Sequence, residues 1–217
     1  MPDETKHLFL YTIGPVQSFI AAARKTQDLW AGSYLLSHLV QAGLSRLNEK
    51  APSSETIFPV DMSHAGPVNM ALMPNRFQVC IEGMDEDGIK ALGKTLTETI
   101  EKEFADIVRF GISRLSEIDE VADFSKRQIK DFLETFWVAV PYSDSADYEG
   151  QYAAIESALA GRKNLRLFEQ PEPEASLKCS LCGEREAMHP SQISRVSAVK
   201  DFWRRTAEKN KENKFSP

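Results

Sequence analysis

The sequence predicts an α+β chain, one antiparallel sheet with helices on it, and three observations predict this. Stretches in which apolar residues alternate every second position are interleaved with stretches in which they recur at helical spacing. Their order is strand, helix in two pieces, strand, strand, helix, strand. The first strand is apolar on both faces, which marks it as central and covered on both sides. This order is the split βαβ, or ferredoxin-like, pattern. Because both faces of the first strand are apolar, the open face of such a sheet is expected to be covered by another domain or subunit outside the chain. The expected divisions are a ferredoxin-like domain over 1–142, a helix and linker over 143–176, and a partial zinc-knuckle segment over 177–217.

Residues 7–13 (HLFLYTI) form the first expected strand, with Leu8 and Leu10 on one face and Phe9, Tyr11 and Ile13 on the other. Gly14-Pro15 ends it, and Pro15 suits a first helical position because its missing N–H has no helical partner there. Val16, Phe19, Ile20, Ala23 and Trp30 then recur at helical spacing. Ala31-Gly32-Ser33 is read as a break, with Ser33 capping a second helix that buries Leu35, Leu36, Leu39, Val40, Leu44 and Leu47. After a turn at 51–55, TIFPV (56–60) is a short strand near an edge because of Pro59. A Gly/Pro/Met-rich loop covers 61–74. In 75–82 (NRFQVCIE), Phe77, Val79 and Ile81 share one face and Gln78 and Cys80 the other.

The helix expected over 85–110 starts on Asp85 and buries Ile89, Leu92, Leu96, Ile100, Phe104 and Ile107. An acidic stretch near 116–123 leads into another helical segment. ETFWVAV (134–140) is a strand stopped by Pro141, 145–160 is helical, and EQPEPEAS (169–176) is an extended linker.

The bulk composition narrows the function classes. The chain has 217 residues, 42% hydrophobic and 27% charged, with a formal net charge of -6. A generally acidic surface argues against a nucleic-acid coat. No apolar run approaches the roughly 20 residues that span a bilayer, and the first residues are too polar for a signal peptide. A cytoplasmic protein without membrane contact is expected. Arg195–Lys214 holds seven Lys or Arg against three Asp or Glu and reads as a solvated terminal helix. Residues 186–217 are expected to be loosely held, anchored through Phe202 and Trp203.

Two motifs suggest chemistry. Cys179-Ser-Leu-Cys182-Gly183 has the spacing at which two thiolates converge on one tetrahedral zinc ion, with a glycine for the tight turn. A structural site needs four ligands, no second pair follows, and His189 is the one nearby candidate. Cys80, alone in a strand, reads as a small buried apolar group. Gly14-Pro15-Val16-Gln17-Ser18 joins the central strand to a helix N-terminus, where backbone amides and the side chains of Gln17 and Ser18 favour an anion. A palm-type nucleotidyl transferase would carry metal-binding carboxylates at the end of the first strand and in the hairpin joining the second and third strands. Here those places hold Ile13-Gly14-Pro15 and a lone Asp61, so no catalytic residue is assigned. Asp28 reads as a polar tie.

The run IGPVQSFIAAARKTQDLWAGSYLLSHL, residues 13–39, closely resembles the opening of the first palm domain in the large subunit of Cmr-type, type III CRISPR effector complexes. KCSLCGERE at 178–186 and FWRR at 202–205 extend the resemblance. It implies a much longer subunit with an HD nuclease-like domain, two palms separated by a zinc-bearing segment, and a Gly-Gly-Asp-Asp motif in the second palm that makes cyclic oligoadenylate from ATP. This chain shows neither motif and looks like the first palm plus the first half of the zinc segment.

By that resemblance Gly14, Gln17 and Ser18 line half of an ATP site served by a divalent metal in the complete protein, and Ser33 lies near the adenine. Cys179 and Cys182 hold structural zinc. The implied partners are the other Cmr-type subunits and, through the complex, crRNA and target RNA, in antiviral defence. Two alternatives stand beside this reading. One is a docking scaffold without nucleotide binding. The other is an RNA-binding ferredoxin-like domain using Phe9, Tyr11 and Phe77.

Overall fold

The computed structural model describes residues 6–60, 73–115, 119–130, 132–165, 177–179, 183, 185–190, 193 and 195–214. The described strands and helices are β1 (Lys6–Gly14), α1 (Val16–Ala21), α2 (Thr26–Lys50), β2 (Glu55–Phe58), β3 (Arg76–Glu82), α3 (Glu86–Leu115), α4 (Asp119–Ile129), β4 (Glu134–Tyr142), α5 (Tyr148–Asn164) and α6 (Val196–Lys214). The chain divides into two compact units, one of Met1–Glu103 with Leu133–Phe168 and one of Phe104–Phe132 with Glu169–Pro217.

The first unit holds a four-stranded antiparallel sheet in the order β2-β3-β1-β4. β1 is central, as its double apolar face requires, and Leu8 to Ile13 are all buried. One face gathers Phe9, Tyr11, Phe77, Val79 and Ile81. Tyr11 stacks on Phe77 with ring centroids 5.3 Å apart, and Phe9 on Trp137 at 5.7 Å. α2 and α3 cover this face. A Cβ on Gly43 would lie 2.8 Å from Ile100 and 3.5 Å from the Phe77 ring, and one on Gly93 would lie 2.2 Å from the Trp137 ring. Glycine is therefore used where two helices come closest to the sheet.

The Tyr11 hydroxyl shares a 3.0 Å hydrogen bond with Thr97 Oγ1 of α3. Burial pushes the Tyr11 phenol up to about 12 from an ordinary 10.0, and hydrogen bonding to Thr97 opposes the shift. Because the folded value lies above the unfolded one, the unfolded chain loses its proton first as pH rises. Stability is complete below about pH 10 and falls as pH rises through about 12, by on the order of 2 kcal/mol. Tyr11→Phe should flatten that alkaline fall in urea titrations. An unchanged slope would remove Tyr11 as its source.

The opposite face corrects the expectation of an outside cover. α5 lies on it, and Leu8 and Leu10 form a closed cluster with Ile155 and Leu159 of α5, flanked by Ile57, Phe136, Val138, Val140 and Tyr142. Asp147 caps α5 by accepting from the Glu149 and Gly150 amides at 3.4 and 3.0 Å. Cys80 is buried on this face as an apolar group, and desolvation raises its thiol pKa.

Several details differ from expectation. The helical break falls at residues 22–25, and α2 is continuous from Thr26 to Lys50. The Asp28 carboxylate accepts from the Arg24 and Lys25 amides at 3.3 and 3.1 Å and starts α2 there. Ser33 is thus inside α2, not at its start. Gly32 admits Phe19 of α1, whose ring would be 3.3 Å from a Cβ at that position. Trp30 stands 55% exposed, off the buried stripe. Finally, β4 runs through Pro141 to Tyr142. Among the described residues it pairs with β1 alone, and an edge strand tolerates a proline whose nitrogen faces away from the ladder.

The second unit is organised by aromatic side chains. Phe104 stacks on Phe132 at 5.5 Å, the Arg185 guanidinium lies 4.5 Å over Phe132, and that of Arg127 lies 4.9 Å over Phe124. Trp203 of α6 donates to the Met188 carbonyl at 2.6 Å, and Gln128 of α4 to the Glu186 carbonyl at 2.6 Å. Residues 186–190 and α6 are held by these contacts. α6 is 19 residues long, with Val199 buried.

Candidate functional site

β1 ends at Gly14, and α1 begins two residues later. Around this junction lies a cavity of about 530 Å³ lined by Thr12, Ile13, Gly14, Pro15, Val16, Gln17, Asn75, Glu134, Phe136 and Lys163. It brings together Gly14 and Gln17. Ser18 follows in α1 with its side chain outside the described residues, and Ser33 is not among the lining residues. Asp61 also lies outside the described residues.

Asn75, just before β3, clamps the end of β1. Its carbonyl accepts from the Ile13 amide at 2.9 Å and its Nδ2 donates to the Ile13 carbonyl at 2.9 Å. The Thr12 hydroxyl donates to the same Asn75 carbonyl at 3.5 Å. The cavity floor is therefore ordered by backbone and amide groups that are already satisfied. Sheet register supplies Glu134, which pairs with Gly14 as the first residue of β4. Its carboxylate would be 3.8 Å from a Cβ on Gly14, an ordinary contact, so Gly14 is not demanded by steric crowding. Lys163, near the end of α5, brings its ammonium within 5.9 Å of the Phe136 ring centroid.

These groups set what the cavity can do. Gln17 and Lys163 offer donors to an anion. Glu134 offers an acceptor to an amine or a shared cation. The lining carries one formal charge of each sign, so it selects less strongly for phosphate than a lining of cations would. α1 is only six residues long, so it brings less dipole than the junction promised in sequence. Among the described residues no three His, Cys, Asp or Glu side chains cluster to hold a metal ion.

The described residues on either side of the cysteine motif are tied by backbone hydrogen bonds. The Cys179 amide donates to the Arg185 carbonyl at 2.6 Å, Gly183 to the Cys179 carbonyl at 2.9 Å, and Ala187 to the Leu177 carbonyl at 2.7 Å. Gly183 adopts φ +70°, which only glycine takes without strain. Cys179 is half-buried, and Cys182 lies outside the described residues. The ring of the buried His189 engages the Pro190 carbonyl through Nδ1 at 2.8 Å, with Nε2 3.9 Å from Glu186.

Asn75, Glu134 and Lys163 escaped sequence reading. They come from three distant segments and carry no mutual spacing signal. Among the described residues no helix is long and apolar enough to cross a membrane.

Comparison with known proteins agrees with the resemblance of the 13–39 run. Residues 8–109, from β1 into α3, match the family model of the CRISPR-associated protein Cmr2, N-terminal. The CRISPR system Cmr subunit Cmr2 of Pyrococcus furiosus is 24% identical over 208 residues, covering 86% of this chain and 23% of the relative. The chain thus spans less than a quarter of that relative's length. The matched residues, 8–109, are those that build the central strands and their covering helices.

Proposed function

We propose that this chain is the palm-type, ferredoxin-like part of a Cmr2 subunit in a type III CRISPR effector complex, and that it holds half of a nucleotide site without catalysing a reaction. The observation that carries this reading is the cavity at the end of β1. Gly14 and Gln17, which the resemblance assigns to a nucleotide, line it. The antiparallel order β2-β3-β1-β4 supports the ferredoxin-like assignment, since it is the order of a split βαβ unit.

In this reading Gln17 and Lys163 meet phosphate oxygens, with Ser18 beside them. A divalent metal, when bound with the nucleotide, would screen Glu134 from the phosphates. A base near Ser33 would lie outside the cavity itself. Oligoadenylate synthesis, crRNA and target RNA would belong to the complete assembly.

ATP should bind this chain only weakly, with a dissociation constant on the order of a millimolar, because an open half-site leaves most of the ligand in water. Gln17→Ala and Lys163→Ala should each weaken it severalfold, measured by ligand-observed NMR. No oligoadenylate should form with ATP and manganese, because two-metal chemistry needs clustered carboxylates. Binding unchanged in both variants would favour the docking-scaffold reading, and product from the purified chain would overturn the half-site. RNA binding on the sheet is disfavoured, since Phe9, Tyr11 and Phe77 are fully buried and cannot stack on bases.

The cysteine motif fits zinc in part. Cys179 and Cys182 would supply two thiolates, half of a tetrahedral shell. Zinc should therefore leave the chain readily on dialysis against a chelator, read by elemental analysis. Retention of one zinc per chain would make His189 the first further ligand to replace.

A further inference from the structure

The end of the sheet opposite the cavity carries a different surface. Sheet register brings Lys6, at the start of β1, beside Glu82 and Tyr142, the last residues of β3 and β4. The Lys6 ammonium lies 2.6 Å from Glu82 and 2.6 Å from Asp144. Hydrogen bonding to Asp144, and then to Glu82, raises its pKa, the mark of a negative local field. Glu55 opposes Cys80 at the same end of the sheet, and Asp147 and Glu149 flank the start of α5. Carboxylates therefore outnumber ammonium groups here.

Aromatic rings lie among these charges. Tyr148 and Tyr152 are 44% and 37% exposed, with ring centroids 6.2 Å apart on successive turns of α5. The Tyr148 hydroxyl accepts from the buried Gln78 amide at 3.5 Å. Phe58 of β2, 40% exposed, is the register partner of that same Gln78. Among the described residues no three acidic side chains cluster to hold a metal ion, and a surface of this sign repels phosphodiesters. Open ring faces beside carboxylates match a guanidinium, which stacks on an aromatic face and forks onto a carboxylate.

We infer that Phe58, Tyr148 and Tyr152, with Glu55, Asp144 and Glu149, form a docking surface for an arginine-bearing segment of a protein partner. The charge of the surface selects a cationic partner, and the exposed rings select arginine over lysine, whose compact ammonium is more strongly hydrated. The surface lies at the other end of the sheet from Gly14 and Glu134, so it does not depend on nucleotide binding in the cavity.

A short peptide alternating arginine and alanine should bind the full chain with a dissociation constant on the order of 100 μM. In titrations followed by amide NMR, the shifts should concentrate at Phe58 and Tyr148–Tyr152. The lysine counterpart should bind about threefold more weakly. Tyr152→Ala, a change at a half-exposed position that leaves the fold intact, should weaken the arginine peptide about threefold. Glu149→Lys should weaken it about fivefold. Glu98→Lys makes the same change in net charge on α3, which covers the opposite face, and should leave binding unaltered. Shifts that fall elsewhere on the chain overturn the inference. So does binding indifferent to Tyr152→Ala and Glu149→Lys, an equal loss in Glu98→Lys, or a lysine peptide that binds as well as the arginine one.

Discussion

Ile155→Ala is expected to destabilise the first unit by about 2–5 kcal/mol, the range for removing a large aliphatic side chain from a closed core. Ile155 is fully buried and, with Leu159, packs on Leu8 and Leu10 of the central strand. Truncation removes apolar contact and leaves a cavity between a helix and a sheet. Neither can collapse far, because β1 is held by ladders on both sides. The Val variant should cost far less, about 0.5–1.5 kcal/mol. Tyr152→Ala, on the same helix but 37% exposed, should be nearer to neutral. Urea titration followed by tryptophan fluorescence would read all three. An Ile155→Ala loss below about 1 kcal/mol would mean that α5 is not the cover of this face.

Gly93→Ala should also be destabilising, although alanine is ordinarily the better helix former. The helix preference alone would favour Ala by up to about 1 kcal/mol. At Gly93 the added Cβ would lie 2.2, 2.5 and 2.6 Å from three carbons of the Trp137 ring. That ring stacks on Phe9 inside the sheet and cannot swing aside like the end of a flexible chain. Overpacking of this kind costs about 1–3 kcal/mol or more, and an overlap beyond 1 Å with a rigid ring belongs at the upper end. A net loss of about 2 kcal/mol is expected.

Two comparisons isolate the cause. Gly111→Ala in the same helix meets nothing within 4 Å and should stabilise slightly. Adding Trp137→Leu to Gly93→Ala should recover part of the loss, because the two positions share one contact. Equal and favourable effects at Gly93 and Gly111 would show that the helix does not approach Trp137 as described.

Much of the fold was legible because it rests on short-range periodicity. The alternation in 7–13 and 75–82 named the two faces of β1 and β3, and the Ile89, Leu92, Leu96 stripe named the buried side of α3. Asp85 was read as a cap, and its carboxylate accepts from the Gly88 amide at 2.8 Å. The junction of α1 and α2 was misread, because a Gly-Ser pair signals a break as readily as a close approach. Which one it is depends on whether a neighbour such as Phe19 needs the space.

The candidate site was legible only along one segment. Gly14 and Gln17 announce themselves by following a central strand. Glu134 reaches Gly14 through the β1–β4 register, Asn75 through the start of β3, and Lys163 through the return of α5. By itself, then, the sequence determined the strand and helix types and the central place of β1, because each follows from neighbours a few residues apart. Only the tertiary structure decided what covers the second face and which distant side chains share the cavity. Those outcomes depend on strand register and helix placement, which bring together residues more than a hundred positions apart.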